Sequence, residues 1–233
     1  MTVWQFLSLG YLAVIFLGSL LLTLPFATKD GQSTSYVNAL FTSTSATCVT
    51  GLVPYDTNTH WSLFGQVVII LLIQTGGLGF MTFVSVLFGM LKRNMGLYER
   101  KAFMQSAGEW KLSGIRRLIR RIFIGTGIFE GCGAILLSIR FIPDFGAAKG
   151  IYYAVWHSVS AFCNAGFDLM GGTFGGDTFV SFTRYAADPV VSLTLCGLII
   201  IGGLGFCGSL LAFILSFIPP SQISTGSNTV WFS

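Results

Sequence analysis

The chain has 233 residues, of which 53% are hydrophobic, 15% are aromatic and only 9% are charged. A soluble domain carries charge on about a quarter of its residues, so the composition excludes an ordinary water-soluble domain and favours an integral membrane protein. The net charge is +4, and the five cysteines are spread singly, so neither a disulfide framework nor a zinc site is indicated.

Four segments are apolar enough to cross a bilayer as helices, which takes roughly 20 residues each. Three of them carry no charged residue (3–24, 63–90 and 189–218), and the fourth, 122–139, carries only Glu130. The first segment lacks the basic start and small-residue end of a signal peptide, so we predict a retained membrane helix there.

Two further apolar stretches, residues 36–46 and 151–162, are too short to span a bilayer. Each lies between two predicted spans. Apolar helices of about 10–14 residues are more often re-entrant or buried than transmembrane. Such backbone is tolerated at membrane depth only where protein or a water-filled cavity surrounds it. We therefore predict two re-entrant helices.

The charges predict an orientation. Nine of the 13 lysines and arginines lie in the linker 92–121, which the positive-inside rule assigns to the cytoplasm. Both termini are then cytoplasmic, and both re-entrant stretches begin outside. Most acids lie in the other connections, and an acidic outer mouth suits a cation: Asp30, Asp56, Asp144, Asp168, Asp177 and Asp188. No patterned aromatics accompany the basic linker, so nucleic-acid binding is not indicated.

The sequence also repeats itself. The segment "FTSTSATCVTG" (41–51) aligns without gaps on "WHSVSAFCNAG" (156–166), and "TGGLGF" (75–80) matches "IGGLGF" (201–206). The two motifs recur in the same order between the same predicted spans. Each unit therefore reads as span, re-entrant helix, glycine-ended loop and span.

This unit suits cation binding. The negative end of a helix dipole favours a cation near the C-terminus of the re-entrant helix. Backbone carbonyls in the following loop can replace the water around a dehydrated ion. Glycine permits the left-handed backbone and close approach that such a loop needs.

These motifs, "SATCVTGL", "SAFCNAGFD" and both "GGLGF" elements, resemble the Ktr/Trk/HKT superfamily of potassium transporters. The resemblance covers nearly all of residues 3–218 and is closest to the bacterial Ktr pore-forming membrane subunit. It implies that backbone carbonyls of two loops form part of a filter for K⁺ or Na⁺, with no transition metal and no cofactor. The implied filter positions are Thr47, Cys48, Val49, Thr50 and Gly51 in the first loop, and Phe162, Cys163, Asn164, Ala165 and Gly166 in the second.

The resemblance implies an all-α integral membrane protein with four transmembrane spans and two re-entrant pore helices. We expect a first repeat at residues 1–92, the basic linker at 93–121, a second repeat at 122–218 and a short tail at 219–233. The expected function is a non-enzymatic membrane subunit of a potassium uptake system, with sodium coupling left open, in a bacterial cell membrane. A cytoplasmic nucleotide-binding regulatory subunit is the implied partner.

Family members carry four such units, whereas this chain has two. The expectation is therefore either self-association or a missing C-terminal half. The alternative is a truncated, non-transporting membrane fragment or an assembly protein.

Other features have two interpretations each. The literal G-x-G-x-x-G at 203–208 lies within an uncharged span, so helix packing or an inner-helix gate is favoured over dinucleotide binding. Glu130 fits either a cation path or a hydrogen-bonded packing position.

Two residue pairs can also be interpreted. His157 with Ser158 suggests a hydrolase only weakly, and Arg184 with Asp188 suggests a surface ion pair. The glycines proposed for packing or gating are Gly76, Gly77, Gly79, Gly202, Gly203 and Gly205.

Overall fold

The computed structural model describes residues 3–79, 115–175 and 177–204. Within these ranges the chain forms helices, turns and loops, and its only β-type pairing is an isolated bridge between Thr28 and Trp61. The α-helices of the described residues are α1 (Val3–Thr23), α2 (Tyr36–Thr47), α3 (Thr57–His60), α4 (Leu63–Gly77), α5 (Ile115–Phe145), α6 (Ala147–Phe162) and α7 (Pro189–Gly203). Short 3₁₀ turns lie at Pro25–Ala27 and Thr183–Tyr185.

The helices form two similar units. In the first, α1 packs against α2 and α4; in the second, α5 packs against α6 and α7. The two units join where α4 packs against α6. The predicted order of long helix, short helix, loop and apolar helix is therefore present in both halves of the described chain.

Equivalent contacts hold each short helix in its unit. Ser43 Oγ donates to the carbonyl of Ile15 at 2.7 Å, and Ser158 Oγ donates to the carbonyl of Glu130 at 2.6 Å. These bonds occupy aligned positions of the two repeats. A small residue is required beside each serine, because a Cβ added at Gly18 would lie 2.5 Å from the Ser43 hydroxyl. The repetition in the sequence is thus also a repetition of packing.

The helix ends differ from the predicted spans. Helix α4 ends at Gly77 and α7 at Gly203, so residues 80–90 and 205–218 of the predicted spans lie outside the described residues. Helix α5 begins at Ile115, within the predicted basic linker, whose residues 92–114 also lie outside, as does the tail 219–233. Among the described helices, the 123–145 part of α5 is long and apolar enough to cross a membrane, while 8–23, α4 and α7 are shorter apolar segments.

One expectation about a connecting segment was wrong. Arg184 does not pair with Asp188: its guanidinium lies 3.7 Å from the ring centre of Phe174, and Asp188 pairs with Arg140 on α5. The helical spacing of residues 184 and 188 does not apply, since only 183–185 form a helical turn before α7.

The two units are also joined at the end where the loops after α2 and α6 lie. Asp56 Oδ1 caps α3 by accepting from the backbone amides of Asn58 and Thr59. Its Oδ2 accepts from the amide of Phe179, which belongs to the second unit. Asn58 Nδ2 donates to the carbonyl of Gly171 at 2.7 Å. The longer connection of the second unit is therefore used to join the two units.

Candidate functional site

The two short helices end in the same hydrogen-bonded turn. After α2, the amide of Val49 donates to Ala46 O and the amide of Thr50 donates to Ser45 O. After α6, the amides of Asn164 and Ala165 make the matching bonds to Ala161 O and Ser160 O. This is the Schellman arrangement, which requires a left-handed residue just after the helix.

The left-handed position is filled by different residues in the two loops. Val49 has φ 56° and Asn164 has φ 59°. Asparagine adopts this region readily, whereas a β-branched valine is an outlier there. Such strain costs about 1–3 kcal/mol and persists only where the surroundings hold it, most often at functional sites.

The predicted filter glycines have the same conformation and lie against each other. Gly51 has φ 75° and Gly166 has φ 74°, a region that favours glycine. A Cβ added at Gly51 would lie 2.8 Å from the carbonyl oxygen of Ala165 and 3.4 Å from the Cα of Gly166. The structure therefore brings the first loop (residues 47–51) and the second loop (residues 162–166) together at their glycines.

The inner-helix glycines allow α4 and α7 to approach the starts of these loops. A Cβ at Gly76 would lie 2.0 Å from Thr47 O, and a Cβ at Gly202 would lie 1.8 Å from Phe162 O. A Cβ added at Gly77 would lie 2.6 Å from both Cβ and Sγ of Cys163. Among the described residues, a Cβ added at Gly203 would have only the Asn164 amide side chain within 4 Å. Gly79 has φ 80°, and Gly205 lies outside the described residues.

The loop side chains are not equivalent. Thr50 Oγ1 lies 2.8 Å from Ser45 Oγ, whereas Asn164 Nδ2 donates to Phe162 O at 3.3 Å. Thr47 is buried, and its hydroxyl has no hydrogen-bond partner within the described part of the chain. Cys48 is exposed and Cys163 is buried. The two loops therefore have the same backbone conformation but different side-chain hydrogen bonds.

His157 and Ser158 do not form a nucleophile and base. His157 Nδ1 lies 2.7 Å from Tyr153 O, and its Nε2 accepts from the amide of Leu169 at 2.9 Å. Ser158 Oγ donates to the carbonyl of Glu130. Because both imidazole nitrogens and the hydroxyl are engaged, this histidine holds the chain that follows the second loop.

Sequence reasoning did not predict that Asp168 and Ser181 lie close to the second loop. Both line a cavity of about 260 Å³ beside Asn164 and Gly166. Burial raises the pKa of Asp168 above its usual range, and the amide of Met170, which donates to its carboxylate at 2.9 Å, opposes that rise. The only sequence signal was an acid two residues after Gly166.

It also missed Gln74, a polar residue inside an uncharged predicted span. Gln74 Nε2 donates to Glu130 Oε1 at 3.0 Å. Glu130 thus has the hydrogen-bonded position that was one of its two interpretations. The signal available in the sequence was an amide side chain at bilayer depth, where polar groups are costly unless paired.

Known proteins are similar in sequence to most of this chain. The profile of the TrkH family, described as cation transport proteins, matches residues 5–224. The potassium/sodium uptake protein NtpJ of Enterococcus hirae is 40% identical over 202 residues, which cover 87% of this chain and 43% of that protein. The Ktr system potassium uptake protein B of Bacillus subtilis is also 40% identical over 202 residues, with the same coverage. The chain spans less than half the length of these relatives. It belongs to the TrkH family of cation transport proteins.

Proposed function

We propose that this chain supplies two filter segments of a membrane pore for the uptake of potassium or sodium ions. The observation that carries the proposal is the pair of loops with one backbone conformation that meet at Gly51 and Gly166. Duplicated loops with left-handed residues and close backbone contact are what a ring of carbonyl ligands needs.

The helices before the loops support cation binding. A helix C-terminus carries about half a negative elementary charge, and α2 and α6 both end directly at these loops. The loop residues are uncharged. Neutral dipoles attract a monovalent cation without holding it as tightly as carboxylates would, which favours passage.

The exposed surface supports a membrane setting. Large apolar side chains are exposed on α1, α5 and α7. Examples are Leu12, Ile135 and Leu193, whose exposed fractions are 60%, 67% and 73%. Soluble monomers rarely expose large apolar patches. We place the protein in a bacterial cell membrane as a multi-pass chain, with lipid against these faces and both termini and the basic linker in the cytoplasm.

A closed ring of four segments needs two more than the described residues provide. In this proposal they come from a second copy of the chain or from a segment equivalent to the part of its relatives that this chain does not cover. A nucleotide-binding regulatory subunit would dock on the cytoplasmic face near the linker 92–121, as the family resemblance implies. Sizing of the purified protein in detergent, with and without such a subunit, tests both associations.

The filter assignment is tested with rubidium uptake by a potassium-uptake-deficient host that expresses the chain. Gly51→Asp and Gly166→Asp should abolish uptake, because a side chain is strained at these φ values and a Cβ at Gly51 meets Ala165 O. Gly31→Asp is the matched control: Gly31 has φ 67°, but no described atom lies within 4 Å of its added Cβ. Normal uptake by both filter variants, at native membrane levels, would show that the assignment is wrong.

A further inference from the structure

One side chain joins the inner helix of the first unit to two helices of the second. Gln74 on α4 donates from Nε2 to Glu130 Oε1 on α5 at 3.0 Å. Its Oε1 accepts from the Cys163 thiol, a weak donor, at 3.6 Å. Both ends of the amide are therefore used across the boundary between the units.

The same place is a close backbone contact. Gly77 lies beside Cys163, since an added Cβ would come within 2.6 Å of both its Cβ and its Sγ. Cys163 caps α6 and directly precedes the left-handed residue Asn164. A shift of α4 relative to the second unit would therefore act directly on the start of the second loop.

The sequence departs from its own repeat at these positions. The residue aligned with Glu130 is Ile15, and the residue aligned with Gln74 is Ile200, which is 60% exposed. An apolar pair would fill the space without the cost of burying polar groups. What hydrogen bonds add is a fixed distance and direction between the partners.

We propose that the Gln74–Glu130 hydrogen bond is a tether that sets the position of the second loop against the first unit and thereby contributes to discrimination between cations. This inference rests on the proposed function. Gln74 and Glu130 act here as positioning residues through Cys163; neither is assigned contact with the ion.

The first test does not depend on transport. In a chain whose other cysteines (Cys48, Cys132, Cys196 and Cys207) are replaced by alanine, Cys163 is the sole thiol. Its modification by a small methanethiosulfonate should be slow with native Glu130 and with Glu130→Gln, which keeps an acceptor oxygen. Glu130→Ile should speed it about tenfold, the effect expected from losing one hydrogen bond. Gln74→Leu should speed it at least as much, because it also removes the acceptor of the Cys163 thiol. The double variant should be no faster than Gln74→Leu alone, because that change already removes both the bond to Glu130 and the acceptor of the Cys163 thiol.

The second test measures the ratio of potassium to sodium uptake. Glu130→Gln should keep the native ratio, whereas Glu130→Ile and Gln74→Leu should lower it several-fold at unchanged membrane levels. Loss of the ratio in Glu130→Gln alone would mean that the carboxylate charge acts on the ion, and would overturn the tether. Equal thiol rates in Glu130→Ile and Glu130→Gln would overturn it too. If the native chain takes up no ion, the proposed function fails, and the thiol rates still decide the tether.

Discussion

Replacing Gly202 by alanine tests the close approach between the inner helix and the second loop. The added Cβ would lie 1.8 Å from Phe162 O, and ordinary contact begins at 3.4 Å, so the two backbones must separate by about 1.6 Å, the difference between these distances. Overpacking costs about 1–3 kcal/mol. Against this, alanine is more favourable than glycine inside a helix by up to about 1 kcal/mol. Because the clash is with backbone, we expect a net loss of about 2 kcal/mol.

For a chain of this length, 1 kcal/mol corresponds to about 2–4 °C in Tm, so Gly202→Ala should unfold about 4–8 °C below the native protein. Thermal unfolding of the purified chain in detergent, followed by tryptophan fluorescence, measures the shift. Gly131→Ala is the matched control, because no described atom lies within 4 Å of its added Cβ; its Tm should be unchanged or higher. Equal Tm values for the two variants would refute the packing argument. Gly76→Ala, whose Cβ would lie 2.0 Å from Thr47 O, should repeat the loss.

Two further predictions concern strain and pH. Val49→Asn, which gives the first loop the residue aligned in the second, should raise Tm by a few degrees by relieving about 1 kcal/mol of left-handed strain; an unchanged or lower Tm in the same fluorescence assay would argue against stored strain at Val49. Burial lowers the pKa of His60, an effect that Asp30 opposes in part. Because the folded pKa lies below the unfolded value, protonation favours unfolding, and stability should fall as the pH drops below about 6.5. His60→Gln should lose less Tm than the native protein between about pH 7.5 and 5.5, and equal losses would assign the pH dependence to another group.

The helical order and the position of the loops could be predicted from the sequence. Long uncharged segments and the recurring "SAxC" and "GGLGF" elements indicate each helix and each loop, because segment length and residue size are local properties. The repetition also predicted that Gly51 and Gly166 are equivalent, and their φ values of 75° and 74° agree. The Gln74–Glu130 bond could not be predicted, since it joins residues 56 positions apart in different units.

Tertiary packing also decided which charges pair and which residues are buried. Sequence spacing suggested Arg184 with Asp188, yet Asp188 pairs with Arg140 because α5 runs beside the start of α7. The left-handed Val49 had no local signal, for valine disfavours that region and adopts it only where the Schellman turn and the neighbouring helices hold it. The sequence by itself thus determined the two units and their loops, whereas the tertiary structure decided how the units are joined, because the joining bonds link residues far apart in the chain.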